Sequence, residues 1–339
     1  MAREAAPELR PAALSARLEW LDLYRGVAVL VMIETHVVNT FLAPELRVGE
    51  WFARLNYVNG LVAPAFLFIA GYAHGLGMRR AQTRRAGVWR RLRRLAGIAV
   101  VGFVLHIPWR ELATRNWTDA LRSGTTVDIL PCLAAAIGVL VITEHHAGAW
   151  TKIAVATITA AALILAPRVA AWTDAPVPVV AWVNQTTGSL FPLLPWAAFA
   201  WIGCLLSARP PELRTLALAA IGSAAAVFVL GRADLSPASA AFFFERLAWI
   251  LALLPMCVWI AARWTPRAVV FAGQESLVMY VAHLLVIALV AMPGLASLGV
   301  IAVTAIWAVV LAATFAATWA WRRIPKWPPT PEGRISSRR

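Results

Sequence analysis

The sequence predicts an all-α fold, a polytopic membrane helical bundle of about ten transmembrane helices with both termini in the cytoplasm. Two observations support the fold class. Of the 339 residues, 60% are hydrophobic and only 14% are charged. The hydrophobic residues also form runs long enough to cross a bilayer core of about 30 Å, with no soluble domain visible between them. A third observation, the distribution of Lys and Arg, predicts the orientation.

Hydropathy divides the chain into ten candidate spans joined by short loops. In chain order they cover residues 21–43, 58–78, 92–110, 127–144, 150–171, 189–207, 214–231, 241–263, 268–291 and 298–321. Basic residues gather in both tails, in loop 79–94 and in the later even-numbered loops, all on one side of a ten-span arrangement. The positive-inside rule assigns that side to the cytoplasm. We therefore divide the chain into a cytoplasmic tail at 1–18, a membrane domain at 19–322 and a disordered basic tail at 323–339.

The net charge of +14 raises the question of nucleic-acid binding. We reject nucleic acid as a partner, because the basic residues lie in short loops and tails beside apolar spans, where orientation signals and lipid-headgroup contacts belong. The three cysteines, Cys132, Cys204 and Cys257, lie in separate apolar runs. Their odd number and wide spacing predict neither a disulfide framework nor a metal site.

Arg25 and His36 provide the most informative spacing in the chain. Eleven residues of helix return to within about 20° of the same face and cover about 16 Å. One helix face therefore carries a cation near one membrane surface and a titratable imidazole deep in the bilayer, and ionisable groups at that depth indicate function. His36 is the candidate general base. Two alternatives stay open: Arg25 only snorkels, or His36 only bonds to a neighbouring helix.

The same helix and the basic loop supply candidates for binding an anionic group. Arg25 suits a phosphate arriving from the cytoplasm, and Asp22, three residues earlier, is placed to pair with it or to form a simple interfacial ion pair. In loop 79–94, Arg90 and Arg94 are candidate phosphate ligands. Anionic lipid and membrane topology explain that loop equally well.

Two further groups of polar residues occur inside predicted spans. His106 ends span three and Asp128 begins span four on the same predicted side, so the carboxylate could orient the ring or stabilise its cation. In span nine, Ser276, Tyr280 and His283 share one helix face. Such a stripe faces a bundle interior or a wet cavity, as an acceptor site would require, or it only holds helices together.

These residues resemble two related groups of membrane acyltransferases. Arg25 with His36 resembles the first-helix motif of the type-3 acyltransferases, and the stretch 21–28 resembles the opening of bacterial relatives of heparan-α-glucosaminide N-acetyltransferase. Four more stretches are similar to blocks of that second group, in the same order: Pro64–Gly71, Asp128–Leu130, Phe191–Trp196 and Gly273–His283.

The resemblance implies an integral membrane acyltransferase of a bacterial inner membrane. It would transfer an acyl group, expected to be acetyl, from cytoplasmic acyl-CoA to a glycan or glycolipid acceptor at the outer face, by O- or N-transfer, with no metal. Arg25 and His36 inherit the roles of donor contact and proton abstraction. The stretch 43–59 lacks the histidine that the animal lysosomal enzyme carries there, so His36 takes that role or the chain has another function.

Two alternatives from other classes remain. A transporter or flippase without covalent chemistry would use the polar groups of spans one, three and nine as a path, with the histidines carrying protons. A non-catalytic membrane scaffold would tolerate the loss of both Arg25 and His36. The acceptor, the acyl chain length, an acyl-histidine intermediate and the oligomeric state, with a homodimer as one option, stay open.

Overall fold

The computed structural model describes residues 10–78, 87–108, 112–208, 211–231, 234–291 and 297–324, with side chains from Glu19 onward. Residues 1–9 and 325–339 of the predicted tails, and 79–86 of the basic loop, lie outside this described part. Within it every regular element is helical, and Leu42 and Leu298 form a single isolated β-bridge. The helices are α1 Arg10–Phe41, α2 Gly49–Asn59, α3 Val62–Met78, α4 Val88–Leu105, α5 Trp117–Gly124, α6 Ile129–Ala147, α7 Thr151–Val169, α8 Val177–Val183, α9 Leu193–Leu206, α10 Leu213–Leu230, α11 Ala240–Arg263, α12 Arg267–Gln274, α13 Ser276–Val290 and α14 Val300–Arg323.

The predicted fold class, an all-α polytopic membrane protein, is confirmed. Six helical segments of the described chain are long and apolar enough to cross a membrane, or seven if α12 and α13 count as one span. They are Gly49–Gly77, Ile129–Ala147, Thr151–Val169, Leu213–Leu230, Ala240–Arg263 and Val300–Arg323. The other predicted spans also correspond to helices, but α9 has only 14 residues and α4 begins with four arginines. The count of ten spans therefore stays a prediction.

Three segments that the hydropathy pattern treats as loops contain helices, namely α2, α5 and α8. Hydropathy did not predict these helices, because it detects only segments that are apolar along a full span; α2 is joined to α3 in the candidate span Gly49–Gly77. The predicted span 268–291 is not one straight helix, because it breaks at Glu275 into α12 and α13, which meet at 90°. A local cluster of glycine and polar residues, 273–276, accompanies this break.

The chain divides into two compact units, the first from Met1–Tyr24 and Gly60–Thr265. Its centre is the close packing of α3 against α9. A Cβ at Gly71 would overlap the backbone of Ala200, and a Cβ at Gly203 would overlap the backbone of Phe68. Small residues therefore let the two backbones approach closely, as they do in membrane helix pairs. Tyr72 donates its hydroxyl to the carbonyl oxygen of Ala208 at 2.9 Å in the same buried layer.

The second unit comes from Arg25–Asn59 and Pro266–Arg339. The end of α1 is fixed there by Arg47, whose guanidinium donates to the carbonyl oxygens of Leu42 and Asn39, and by the amide of Ala43, which donates to Leu298 O at 3.0 Å. These bonds satisfy carbonyls that the helix terminus leaves without partners. The α1 helix is thereby anchored just after its histidine.

Candidate active site

Arg25 and His36 lie on one uninterrupted helix, α1, and both side chains are half-buried in the second unit. Because α1 has no break between them, the helical rise places them about 16 Å apart on nearly the same face. Gly26 allows a close approach beside Arg25, since a Cβ at this position would overlap the backbone of Val269 in α12. The fold therefore places both residues in protein surroundings, where the sequence alone left their exposure open.

The ring of His36 contacts the ring of His283, with centroids 5.1 Å apart and planes at 49°. Tyr280, one turn earlier on α13, meets the same His283 ring edge-on at 5.5 Å. The structure thus assembles His36, Tyr280 and His283, which come from distant parts of the sequence, into one aromatic and imidazole cluster. We call these three residues the imidazole cluster.

His283 is fully buried and its orientation is fixed by its own helix. Its Nδ1 lies 2.9 Å from the carbonyl oxygen of Met279. A carbonyl only accepts, so Nδ1 carries the proton and, in the neutral ring, Nε2 holds the lone pair. Nε2 is buried with no hydrogen-bond partner in the described chain. Such an orphaned group requires a specific explanation, and a catalytic role is one of the recognised ones.

Met279 is held in turn by the neighbouring helix. The hydroxyl of Thr318, which is buried on α14, donates to the Met279 sulfur at 3.1 Å. The residue whose carbonyl group orients His283 is therefore itself held against α14 through its side chain.

His106 and Asp128 form a second pair, in the first unit. Nε2 of His106 lies 3.3 Å from Oδ2 of Asp128, and Nδ1 lies 2.9 Å from the carbonyl oxygen of Gly102. Both ring nitrogens therefore face acceptors, so a doubly protonated ring can donate to both. Asp128 is the more buried partner, with 14% of its side chain exposed against 39% for His106. The structure therefore brings these two residues, whose pairing the sequence left open, within 3.3 Å of each other.

The remaining predicted residues are placed as follows. Asp22 is half-buried three residues before Arg25, and Ser276 is half-buried as the first residue of α13. Arg90 and Arg94 are exposed, one turn apart on the first two turns of α4, so they belong to a helix where the sequence analysis placed them in a loop. The two units thus hold separate groups: Arg25, His36, Ser276, Tyr280 and His283 in the second, and Asp22, Arg90, Arg94, His106 and Asp128 in the first.

Sequence reasoning missed a partly buried charge cluster in the first unit. Arg91 Nη1 lies 3.1 Å from Glu144 Oε2, and His74 Nε2 lies 3.8 Å from the same oxygen. This cluster joins α3, α4 and α6. The sequence signal that could have found this cluster is Glu144, an acid near the end of an apolar helix, together with the run of arginines at the start of α4.

Glu245 was also missed. It is buried, with 8% exposure, inside the apolar helix α11, and Oε2 has no hydrogen-bond partner in the described chain. A single carboxylate between Phe244 and Arg246 in a predicted span was the available signal. No group of three or more His, Cys, Asp or Glu side chains in the described part could hold a metal ion.

These observations define a class: a multi-pass, all-α membrane protein that carries an imidazole cluster and a histidine–carboxylate pair among its helices. A family model described as "Heparan-alpha-glucosaminide N-acetyltransferase, catalytic" matches residues 17–237, more than half of the chain. The chain therefore belongs to this family, which is named for transfer of an acetyl group to a glucosaminide. No curated protein matches the chain significantly. The match includes Arg25, His36, His106 and Asp128 and ends before α13.

Proposed function

We propose that this protein is a membrane acetyltransferase that moves an acetyl group from cytoplasmic acetyl-CoA to an amino or hydroxyl group of a sugar at the outer face of a bacterial inner membrane. The observation that carries the proposal is the contact between His36 and the fully buried His283 on a helix face that also carries Arg25. Membership of the acetyltransferase family supplies the reaction class.

In this proposal His36 is the general base. The acceptor nitrogen or oxygen attacks the thioester carbonyl carbon, the new C–N or C–O bond forms, and the C–S bond breaks as CoA leaves as a thiol. His36 takes the proton that the acceptor loses and returns it to the leaving sulfur. His283 acts as a positioning residue, because its ring is fixed by Met279 and contacts His36.

Arg25 is proposed to bind a phosphate of the donor, since a guanidinium recognises phosphate bidentately. Asp22 would orient it. Arg90 and Arg94, both exposed at the start of α4, would add long-range attraction for the nucleotide part of CoA.

The attraction by Arg90 and Arg94 predicts that raising the salt concentration weakens the binding of acetyl-CoA, because salt screens exposed charges. In the double variant R90A/R94A the affinity for acetyl-CoA should depend less on salt concentration than in the wild-type protein.

His106 and Asp128 are proposed to serve the acceptor side. The carboxylate holds the His106 ring in one orientation, as hydrogen-bonded carboxylates do for histidines in functional sites. Tyr280, within the imidazole cluster, and Ser276, four residues earlier on α13, would supply hydroxyl groups for the acceptor.

The decisive test uses purified protein, radiolabelled acetyl-CoA and methyl α-glucosaminide as the acceptor. Wild-type protein should transfer the label to the sugar, and His36→Ala should reduce the rate by about 10²–10⁴-fold, the usual contribution of a general base. His146→Ala, at an exposed histidine of the same chain, is the matched control and should keep full activity. Full turnover by His36→Ala at normal protein level would refute the assignment.

The donor role of Arg25 has an independent test. Acetyl-CoA should raise the melting temperature of the wild-type protein, because a ligand that binds only the folded state stabilises it. Arg25→Ala should lose this shift and Arg25→Lys should keep only part of it. Absence of any shift with millimolar acetyl-CoA, together with no labelled sugar, would instead favour the transporter alternative.

A further inference from the structure

We propose that one face of α4 is a binding site for an anionic phospholipid, whose phosphate lies against arginine side chains while an acyl chain follows the rest of the helix. The helix carries four arginines in its first two turns and no acidic residue. All residues of the site belong to the first unit. The positive-inside rule assigns the start of α4 to the cytoplasm, and the cytoplasmic leaflet is the one that carries anionic lipids. The proposal is independent of acetyl transfer.

The four arginines of α4 divide between two faces of the helix. Arg91 turns to α6, where its Nη1 lies 3.1 Å from Glu144 Oε2, and this bond holds the start of α4 against that helix. Arg90, Arg93 and Arg94 share the other face, at three- and four-residue spacing, and all three are exposed. Among the described residues no carboxylate pairs with these three arginines. We call them the arginine patch.

Beyond the arginine patch, the same face of α4 is apolar. Gly97, Val101 and Val104 continue it at helical spacing, and all three are exposed. From Arg94 to Val104 the helix rises about 15 Å, which is half the thickness of a bilayer core of about 30 Å. No described group lies within 4 Å of the Cβ position of Gly97, so an acyl chain has room to approach the backbone there. The face thus has the polarity profile of one lipid leaflet, charged at the headgroup level and apolar along the chains.

Two further contacts orient this face toward lipid. Gly102 lies on the side of α4 that packs on α6, since a Cβ there would overlap the side chain of Pro131. Trp89, just before the arginine patch, is 81% exposed, and exposed tryptophans of membrane proteins lie at the headgroup level. A lipid uses both the charged and the apolar part of the face, whereas a free phosphate or a nucleotide uses only the charged part. The nucleotide of acetyl-CoA would compete for the arginine patch, so lipid binding is measured without acetyl-CoA.

Native mass spectrometry of the purified full-length protein in an uncharged detergent tests the ligand class. Phosphatidylglycerol should bind. Phosphatidylcholine with the same acyl chains, which has no net charge, should bind about tenfold more weakly or less. Glycerophosphoglycerol, which is the same headgroup without acyl chains, should also bind about tenfold more weakly or less, because it loses the contact with the apolar part of the face. Equal binding of phosphatidylcholine, or of the headgroup alone, would overturn the lipid site.

A matched pair of triple variants tests the location. Replacing all three arginines of the patch with glutamine should weaken phosphatidylglycerol binding by more than about tenfold, because each basic residue near an anionic surface strengthens binding by about fivefold. The control K152Q/R214Q/R263Q removes the same charge from three exposed positions elsewhere in the first unit and should bind phosphatidylglycerol like the wild-type protein. Equal losses in the two triple variants would overturn the site and indicate diffuse attraction instead.

A single charge reversal keeps the test valid if the triple variant of the patch does not fold. Arg93→Glu should weaken phosphatidylglycerol binding about fivefold or more, whereas Lys152→Glu, with the same change of charge at an exposed position, should leave it unchanged. Wild-type affinity in folded Arg93→Glu would overturn the site. The measured quantity is bound lipid, so the result stands whether or not the protein transfers acetyl groups.

Discussion

At the residue scale, the central feature is the contact between two histidine rings, His36 and His283, inside an apolar helical bundle. His283 makes one hydrogen bond, to Met279, and its other nitrogen is buried without a partner in the described chain. A fixed, buried ring that contacts the proposed base suits a group that holds this base in one orientation during turnover.

The His283 side chain therefore provides the first prediction. His283→Gln should lower kcat about tenfold or more while the KM for acetyl-CoA stays unchanged, because the ring contacts the proposed base. His145→Gln is the control, since it removes one ring from the exposed His145–His146 contact at 4.8 Å. His283→Asn is a second variant, which keeps the test valid if His283→Gln does not fold. Wild-type kcat in both folded variants would contradict the role.

The carboxylate of Asp128 provides the second prediction. Asp128→Asn keeps the shape of the side chain and removes the charge that faces His106. We expect kcat/KM for the sugar to fall about tenfold, since a charge-assisted hydrogen bond is roughly twice as strong as a neutral one. The control is Asp119→Asn, because Asp119 is exposed and pairs locally with Asn116. Steady-state kinetics that do not distinguish the two variants would contradict the prediction.

At the element scale, α3 and α9 depend on glycine at their contact. Gly203→Ala should lower the free energy of unfolding by about 1–3 kcal/mol, because the added Cβ overlaps the Phe68 backbone, which cannot move without disturbing the helix. Gly138→Ala is the matched control in α6. Nothing lies within 4 Å of its Cβ position, so this change should be neutral or slightly stabilising. Melting temperatures in detergent measure both, and an equal response of the two variants would refute the close contact.

The charge cluster between α4 and α6 makes a separate prediction. Glu144→Gln leaves Arg91 without its 3.1 Å partner, in surroundings where 37% of the arginine side chain is exposed. We expect a loss of about 1–3 kcal/mol, between the values of surface and buried pairs. Glu50→Gln, which breaks the exposed Glu50–Arg54 pair, should cost less than about 1 kcal/mol. A smaller loss for Glu144→Gln than for Glu50→Gln would contradict this interpretation.

At the scale of the whole molecule, the predicted orientation is directly testable. Lys152, at the start of predicted span five, and Asp174, in the predicted loop after it, are exposed residues that the prediction places on opposite sides of the membrane. In a Cys204→Ala background, where Cys132 and Cys257 are buried, an impermeant maleimide should label Asp174→Cys in intact cells. Lys152→Cys should react only after permeabilisation. The reverse pattern would invert the orientation and exclude a cytoplasmic donor at Arg25.

The sequence by itself determined the all-α membrane class, the positions of most spans, and the Arg25–His36 spacing. These properties are local, because hydropathy and helical periodicity are carried by neighbouring residues. The break at Glu275 and the helix α5 escaped prediction, since average hydropathy does not register a sharp bend or a short polar helix.

Only the tertiary structure decided which partner each ionisable group meets. His36 contacts His283, His106 faces Asp128, and Arg91 turns to Glu144 while Arg90 and Arg94 stay exposed. These pairings join residues from different helices, and the periodicity of one helix holds no information on which other helix packs against it. A partly open cavity beside Trp196 was likewise invisible in the sequence, because three separate segments of the chain must fold together to enclose it.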